Sequence, residues 1–259
     1  MKHVSTVASR EFRSLFVSPV AYLVLSLFAV MAGVFFVLDV AAFNMHVLQA
    51  QQFQAVEELA RLNLNDHLIA YFYDSMAVVL LFVIPGITMG LFVSEKTNGT
   101  QELLMTSPLT MWDIVLGKYA AALAFATLMV AMVGAFPALL FTYGDPELGK
   151  TLSGLLGLLL VAWTYVAIGS FASSITRSQV VSFLISFVLL LCMLLLPAIT
   201  NLGVAGDAAG ELFRWLSTAA HFQEMLTGLV DTADLVYFAV MIGSFLLLTK
   251  AAVESVRWR

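Results

Sequence analysis

Long stretches of this chain carry no charged residue at all, and they constrain its fold more than any other feature. Five run Ser14 to Leu38, Ser75 to Ser94, Tyr119 to Gly144, Thr151 to Thr176 and Ser178 to Gly206. A bilayer core of about 30 Å takes roughly 20 helical residues, so each is long enough to cross it. A sixth stretch, Leu235 to Thr249, reaches only about 22 Å as a helix. It is expected to start among Asp231 to Asp234, with those acids at the membrane interface. With 61% hydrophobic and 11% charged residues, no water-facing surface can enclose a globular core. The expected fold is an all-α integral membrane protein, one transmembrane domain over 1-259 with six transmembrane helices.

The Lys and Arg positions give an expected orientation. Lys2, Arg10, Arg13, Lys96, Lys118, Arg177, Lys250, Arg257 and Arg259 fall on one side of the six crossings, and only Arg61, Lys150 and Arg214 on the other. Positive charge is retained on the cytoplasmic face, so both termini are expected there. Most acids lie on the outer side, so the net charge of -5 belongs to the outer loops and points to no nucleic-acid partner. The first segment lacks a short apolar core followed by a small-residue cleavage site, and is expected to remain as a membrane helix. A single cysteine, Cys192, excludes an internal disulfide.

The resulting division is an amphipathic interfacial helix over 1-18, membrane helices over 19-43, 75-94, 119-143, 151-173, 178-200 and 232-250, an external loop over 44-74, a cytoplasmic loop over 95-118 and half-buried external helices over 207-231. The leader alternates Val4, Val7, Ala8, Phe12, Leu15 and Phe16 with Lys2, Arg10 and Arg13 at helical spacing. Periodicity alone does not say whether it does more than anchor the first crossing. Pro85 with Gly86 and Gly90 predicts a kink and a small-residue face that another helix, or a second subunit, can approach closely.

Two apparent sites carry little chemistry. Gly144-Asp145-Pro146-Glu147-Leu148-Gly149-Lys150-Thr151 satisfies the phosphate-loop spacing G-x-x-x-x-G-K-[ST]. That motif needs a buried strand feeding the loop, whereas here membrane helices flank it and two acids sit where phosphate would lie. Nucleotide hydrolysis by this chain is not expected. His221 and Glu224, three apart, can share a helical face, as a gate, a metal site or a plain hydrogen-bonded pair; no further ligand is near in sequence. The helices otherwise hold no ionisable group at depth, which disfavours a proton-coupled carrier.

The loop after the second crossing reads Ser94-Glu95-Lys96-Thr97-Asn98-Gly99-Thr100-Gln101-Glu102-Leu103-Leu104-Met105-Thr106-Ser107-Pro108-Leu109-Thr110 and continues to Gly117-Lys118. It predicts a turn at Asn98-Gly99 and a short helix capped by Thr100, carrying Leu103 and Leu104 and ending before Pro108. Such a helix is either a docking element or a solvated connector. The pattern E-[KR]-x-x-G-T-x-E-x-L-L-x-[TS]-P-[LV]-[ST] resembles the permease subunits of ABC exporters of the type-2 superfamily, in particular the gliding-motility and copper-maturation-like branch. Arg10-Glu11-Phe12, Ser18-Pro19, Ala21-Tyr22, Ile84-Pro85 and Thr88-Met89 are similar to that branch as well. Gly90 and Ser94 depart from it, standing where many relatives carry a basic and an acidic residue.

The resemblance implies a half-transporter. Two permease chains, identical or paralogous, would form the path in a bacterial inner membrane, and separate cytoplasmic ABC ATPase subunits would hold ATP and Mg²⁺; this chain would need no cofactor or metal and would not be an enzyme. The implied ATPase-coupling surface is Glu95, Lys96, Gly99, Thr100, Glu102, Leu103, Leu104 and Pro108, braced by Arg10, Glu11, Phe12 and Arg13. Glu95, Lys96 and Glu102 would supply its polar contacts. A scaffold that recruits a soluble partner through the same loop, without moving a substrate, remains the alternative.

Overall fold

The computed structural model describes residues 2–54, 62–100, 109–201 and 207–255. Among them there is no strand. Helix α1 (Lys2–Val17) ends at Ser18, whose hydroxyl accepts the Val20 N–H at 3.3 Å and caps α2 (Pro19–Gln52). Pro19 suits the first turn because its missing N–H has no intrahelical partner to lose. The Ser18-Pro19 pair is therefore the elbow between the leader and the first membrane helix.

A π-helical turn (Asn65–Ile69) runs into α3 (Ala70–Thr88), which is followed after a break by the short α4 (Val93–Thr97). Then come α5 (Met111–Tyr143), α6 (Leu148–Ile175), α7 (Gln179–Asn201), α8 (Asp207–Leu216), α9 (Thr218–Leu226) and α10 (Thr232–Ser255). Six of these segments are long and apolar enough to cross a membrane: α2, the run from Asn65 to Thr97, α5, α6, α7 and α10. The protein is a multi-pass membrane protein.

Two boundaries differ from the sequence expectation. Helix α2 continues through Asn44 to Gln52, because nothing there breaks a helix; its 34 residues span about 51 Å, well beyond a bilayer core. The second crossing begins earlier, at Asn65, and its main helix α3 breaks at Thr88, three residues past Pro85. Proline has no N–H for the carbonyl four residues back, and the helix fails one turn later.

Helix α6 is the hub, packing against α3, α5, α7, α9 and α10. Its most apolar window is 67% buried, against 17% for α2 and α7, which face outward. Small residues permit this. A Cβ on Gly169 would stand 2.1 Å from the Thr88 hydroxyl, and one on Gly154 2.7 Å from the Tyr73 ring. Without a hydrophobic drive between helices in lipid, such close approach supplies the packing contacts. Gly86 and Gly90 do not serve this purpose within the chain. A Cβ on Gly86 meets nothing within 4 Å and one on Gly90 only the Gln179 amide, and both line an open groove of about 470 Å³ with Glu11, Ser18 and Phe125.

Candidate coupling site

The motifs of the first 118 residues converge at one end of the bundle. Thr110 caps α5 in a reciprocal box: its hydroxyl accepts the Asp113 N–H at 3.2 Å, and the Asp113 carboxylate accepts the Thr110 N–H at 3.1 Å. This fixes the start of α5 and brings Gly117 and Lys118 beneath α1. A Cβ on Gly117 would lie 2.6 Å from Cγ1 of Val7 and 3.3 Å from the Val4 carbonyl. Glycine lets α1 rest directly on α5. Four residues along from Val7, on the same face of α1, stands Glu11.

Lys118 occupies the meeting point. Its side chain is 3% exposed, and its ammonium lies 2.8 Å from Oε1 of Glu95 and 3.4 Å from Oε1 of Glu11. The ring of Phe92 sits 5.7 Å beneath it. At the rim, Arg10 reaches the same Glu11 oxygen at 2.7 Å. Two carboxylates and one buried ammonium thus join three elements: α1, the segment after α3 and α5. Charges withdrawn from water in this way persist only when paired. Phe16 extends the contact, its ring 5.8 Å from that of Phe125 on α5. Phe12 is half-buried and Arg13 exposed.

Glu95 and Lys96 therefore turn inward, while Thr97, Asn98, Gly99 and Thr100 are exposed. Gly99 has φ +68, the left-handed turn expected at Asn98-Gly99. Lys96 donates to the carbonyls of Ser174 and, at 3.0 Å, Thr176, at the end of α6. Glu102, Leu103, Leu104 and Pro108 lie outside the described residues.

The sequence marks Lys118 as a charge of the expected cytoplasmic face and as part of a motif, and it gives no sign of Ser173. The Ser173 hydroxyl accepts the Phe92 N–H at 3.0 Å and donates to the Met89 carbonyl at 3.1 Å, inside the break after α3. A lone serine near a helix end gives no pattern from which this could be read. The lysine immediately before the expected third crossing is the usable signal for the ion cluster, since a charge there needs a partner.

The family described as ABC-2 family transporter protein matches residues 5–253. The chain belongs to the ABC-2 transporter family. It is also 22% identical over 197 residues to the probable multidrug ABC transporter permease YbhR of Escherichia coli, in both strain K12 and O157:H7. The match covers 71% of this chain and 53% of each relative, so this ABC-2 chain spans about half the length of the curated relatives it matches.

At the other end of the bundle, Asn65 in the π-turn clasps the α5–α6 turn, accepting the Glu147 N–H at 2.7 Å and donating to Thr151 Oγ1 at 3.1 Å. The phosphate-loop spacing lies in this turn. Its Lys150 ammonium pairs with Asp66 at 3.4 Å and Glu147 at 3.8 Å, and no strand leads into it. His221 pairs with Asp234 rather than Glu224: Nδ1 lies 2.7 Å from Asp234 Oδ1, Nε2 3.0 Å from the Trp215 carbonyl, and the ring stacks on Tyr237 at 4.0 Å. Glu224 is exposed. Among the described residues no group of three ligating side chains could hold a metal ion.

Proposed function

We propose that this chain is the permease subunit of an ABC exporter, driven through the Glu95 to Pro108 segment by separate ATPase subunits that hold ATP and Mg²⁺. One observation carries the reading: three motifs spread over the first 118 residues, around Glu11, Glu95 and Lys118, meet in one ion cluster at the base of the exposed Thr97 to Thr100 turn. A lever needs a rigid root and an exposed arm. Glu95 and Lys96 are the root, and Thr97 onward, with Glu102, Leu103, Leu104 and Pro108, is the arm an ATPase would grip. ATP-driven closure of the ATPases would then shift the arm between two discrete positions.

Two such chains, identical or paralogous, would line the path, with the groove at Gly86 and Gly90, just past the buried Pro85, open to a second copy. The charge distribution supports a bacterial inner-membrane location with both termini and the lever cytoplasmic. The Arg10-Glu11-Phe12, Ser18-Pro19 and Ile84-Pro85 patterns support the gliding-motility and copper-maturation-like branch. The multidrug label of the Escherichia coli relatives supports drug-like cargo.

The test is a co-expressed permease and ATPase pair in proteoliposomes. Glu102→Arg and Leu103→Asp are expected to abolish both assembly and the permease-dependent part of ATP hydrolysis. If both variants hydrolyse and assemble as the parent does, the lever reading fails. Assembly without any effect of the permease on hydrolysis favours the scaffold alternative.

A further inference from the structure

The root of the lever is held from a second side. Ser173 on α6, itself fully buried, fills the break between α3 and α4: its hydroxyl accepts from Phe92 N–H at 3.0 Å and Val93 N–H at 3.4 Å and donates to the Met89 carbonyl at 3.1 Å. These are the backbone groups that an interrupted helix leaves without partners. Lys96 performs the reciprocal task for α6, donating to the Ser174 and Thr176 carbonyls at its C-terminus, where the helix dipole favours a cation. Thr97 adds a bond from its hydroxyl to the Arg177 carbonyl at 3.4 Å. Each element satisfies the open end of the other.

The two holds differ in stiffness. The ion cluster joins long side chains to one another, whereas the Ser173 and Lys96 contacts all end on backbone atoms. Phe92 and Val93 are buried, so their N–H groups have no water to exchange for the serine. Beyond α6 the chain turns within Thr176 to Ser178 directly into α7. So short a turn transmits displacement with little slack, and α7 is among the least enclosed of the crossings.

We propose that Lys96 and Ser173 are positioning residues that weld α4 to the α6–α7 turn, so that movement of the lever is delivered to α7 as a rigid unit. The proposal rests on the lever reading above and adds its direction of travel. In the full chain in nanodiscs, Ser173→Ala raises amide exchange at Phe92 and Val93 by about tenfold. Lys96→Met raises exchange across Ser174 to Arg177, and Lys96→Arg, which keeps donors for two carbonyls, restores protection. Unchanged exchange in both Ser173→Ala and Lys96→Met overturns the weld.

The motion itself is read by spin labels in the permease–ATPase assembly, with Cys192 replaced by alanine. Labels at the exposed Thr100 and Val180 report lever against α7; labels at Thr100 and the exposed Tyr143 report lever against the far end of the bundle. Between nucleotide-free and ATP–vanadate-trapped states, the Thr100–Val180 distance holds to about 2 Å while Thr100–Tyr143 shifts by more, on the scale of discrete switching motions. In Lys96→Met the Thr100–Val180 distribution broadens, and in Lys96→Arg it does not. If both distances change equally in the parent, the weld is wrong and the lever stands. If neither changes, the lever reading itself fails.

Discussion

Replacing Lys118 by methionine removes one charge and little volume from the ion cluster that joins α1, α5 and the segment after α3. Lys118 is 3% exposed, while Glu95 and Glu11 are 16% and 21% exposed. Glu11 keeps Arg10 at 2.7 Å, so the loss falls mainly on Glu95, left with its carboxylate in the cluster and no counter-ion. Removing one partner of a buried pair costs about 3–5 kcal/mol, and the residual exposure of both acids places this case near 3. For a chain of this size that is a fall of roughly 6–12 °C in unfolding midpoint. The assay is thermal unfolding of the purified chain in detergent, with Lys118→Met, Glu95→Gln and the double variant compared as a cycle. The double variant is expected to regain much of the loss, because neutralising both members removes the stranded charge. A Lys118→Met midpoint within about 1 °C of the parent, or strictly additive variants, refutes the claim that this cluster ties the three elements together.

Gly169→Ala drives a methyl into the buried Thr88 hydroxyl, and a loss of about 1–3 kcal/mol is expected from overpacking; an unchanged unfolding midpoint would show that α3 and α6 do not approach as described. His221→Ala leaves the 2%-exposed Asp234 side chain unpaired and is expected to cost about 3 kcal/mol, with Asp234→Asn in the same chain recovering part of it in thermal unfolding. Glu224→Gln, at an exposed position, should alter stability by no more than about 0.5 kcal/mol, and a larger loss would point to a His221–Glu224 pair after all. Lys150→Met breaks only partly exposed pairs with Asp66 and Glu147, so ATP hydrolysis by the assembly should be unchanged; its loss would revive the phosphate-loop reading.

How much of the candidate coupling site is legible in the sequence depends on the kind of contact. The helix expected to be capped by Thr100 lies outside the described residues, while the Asn98-Gly99 turn follows a local chemistry that acts over four residues and emerges from sequence. The inward turn of Glu95 and Lys96 does not, because a charged pair beside a predicted exposed helix looks like docking surface until its partners are placed. Those partners, Lys118 and the Ser174 and Thr176 carbonyls, come from α5 and the end of α6. In the same way, three-residue spacing suggested His221 with Glu224, and tertiary folding brought Asp234 closer. Spacing along one helix tells which residues share a face, but not what the next helix offers to it.

The membrane class, the six apolar crossings and the motifs of the ABC-2 family are legible before any folding is considered, because each rests on the length and chemistry of contiguous residues. Packing between helices makes Lys118 the node of an ion cluster, sets Ser173 across the broken helix, and has Gly169 rather than Gly86 admit a neighbouring helix of the chain. In an apolar chain nearly every helix face is suited to lipid or to protein alike, so composition does not choose between them. The scarce buried polar groups do, since each must find a partner, and where those partners meet is set by packing.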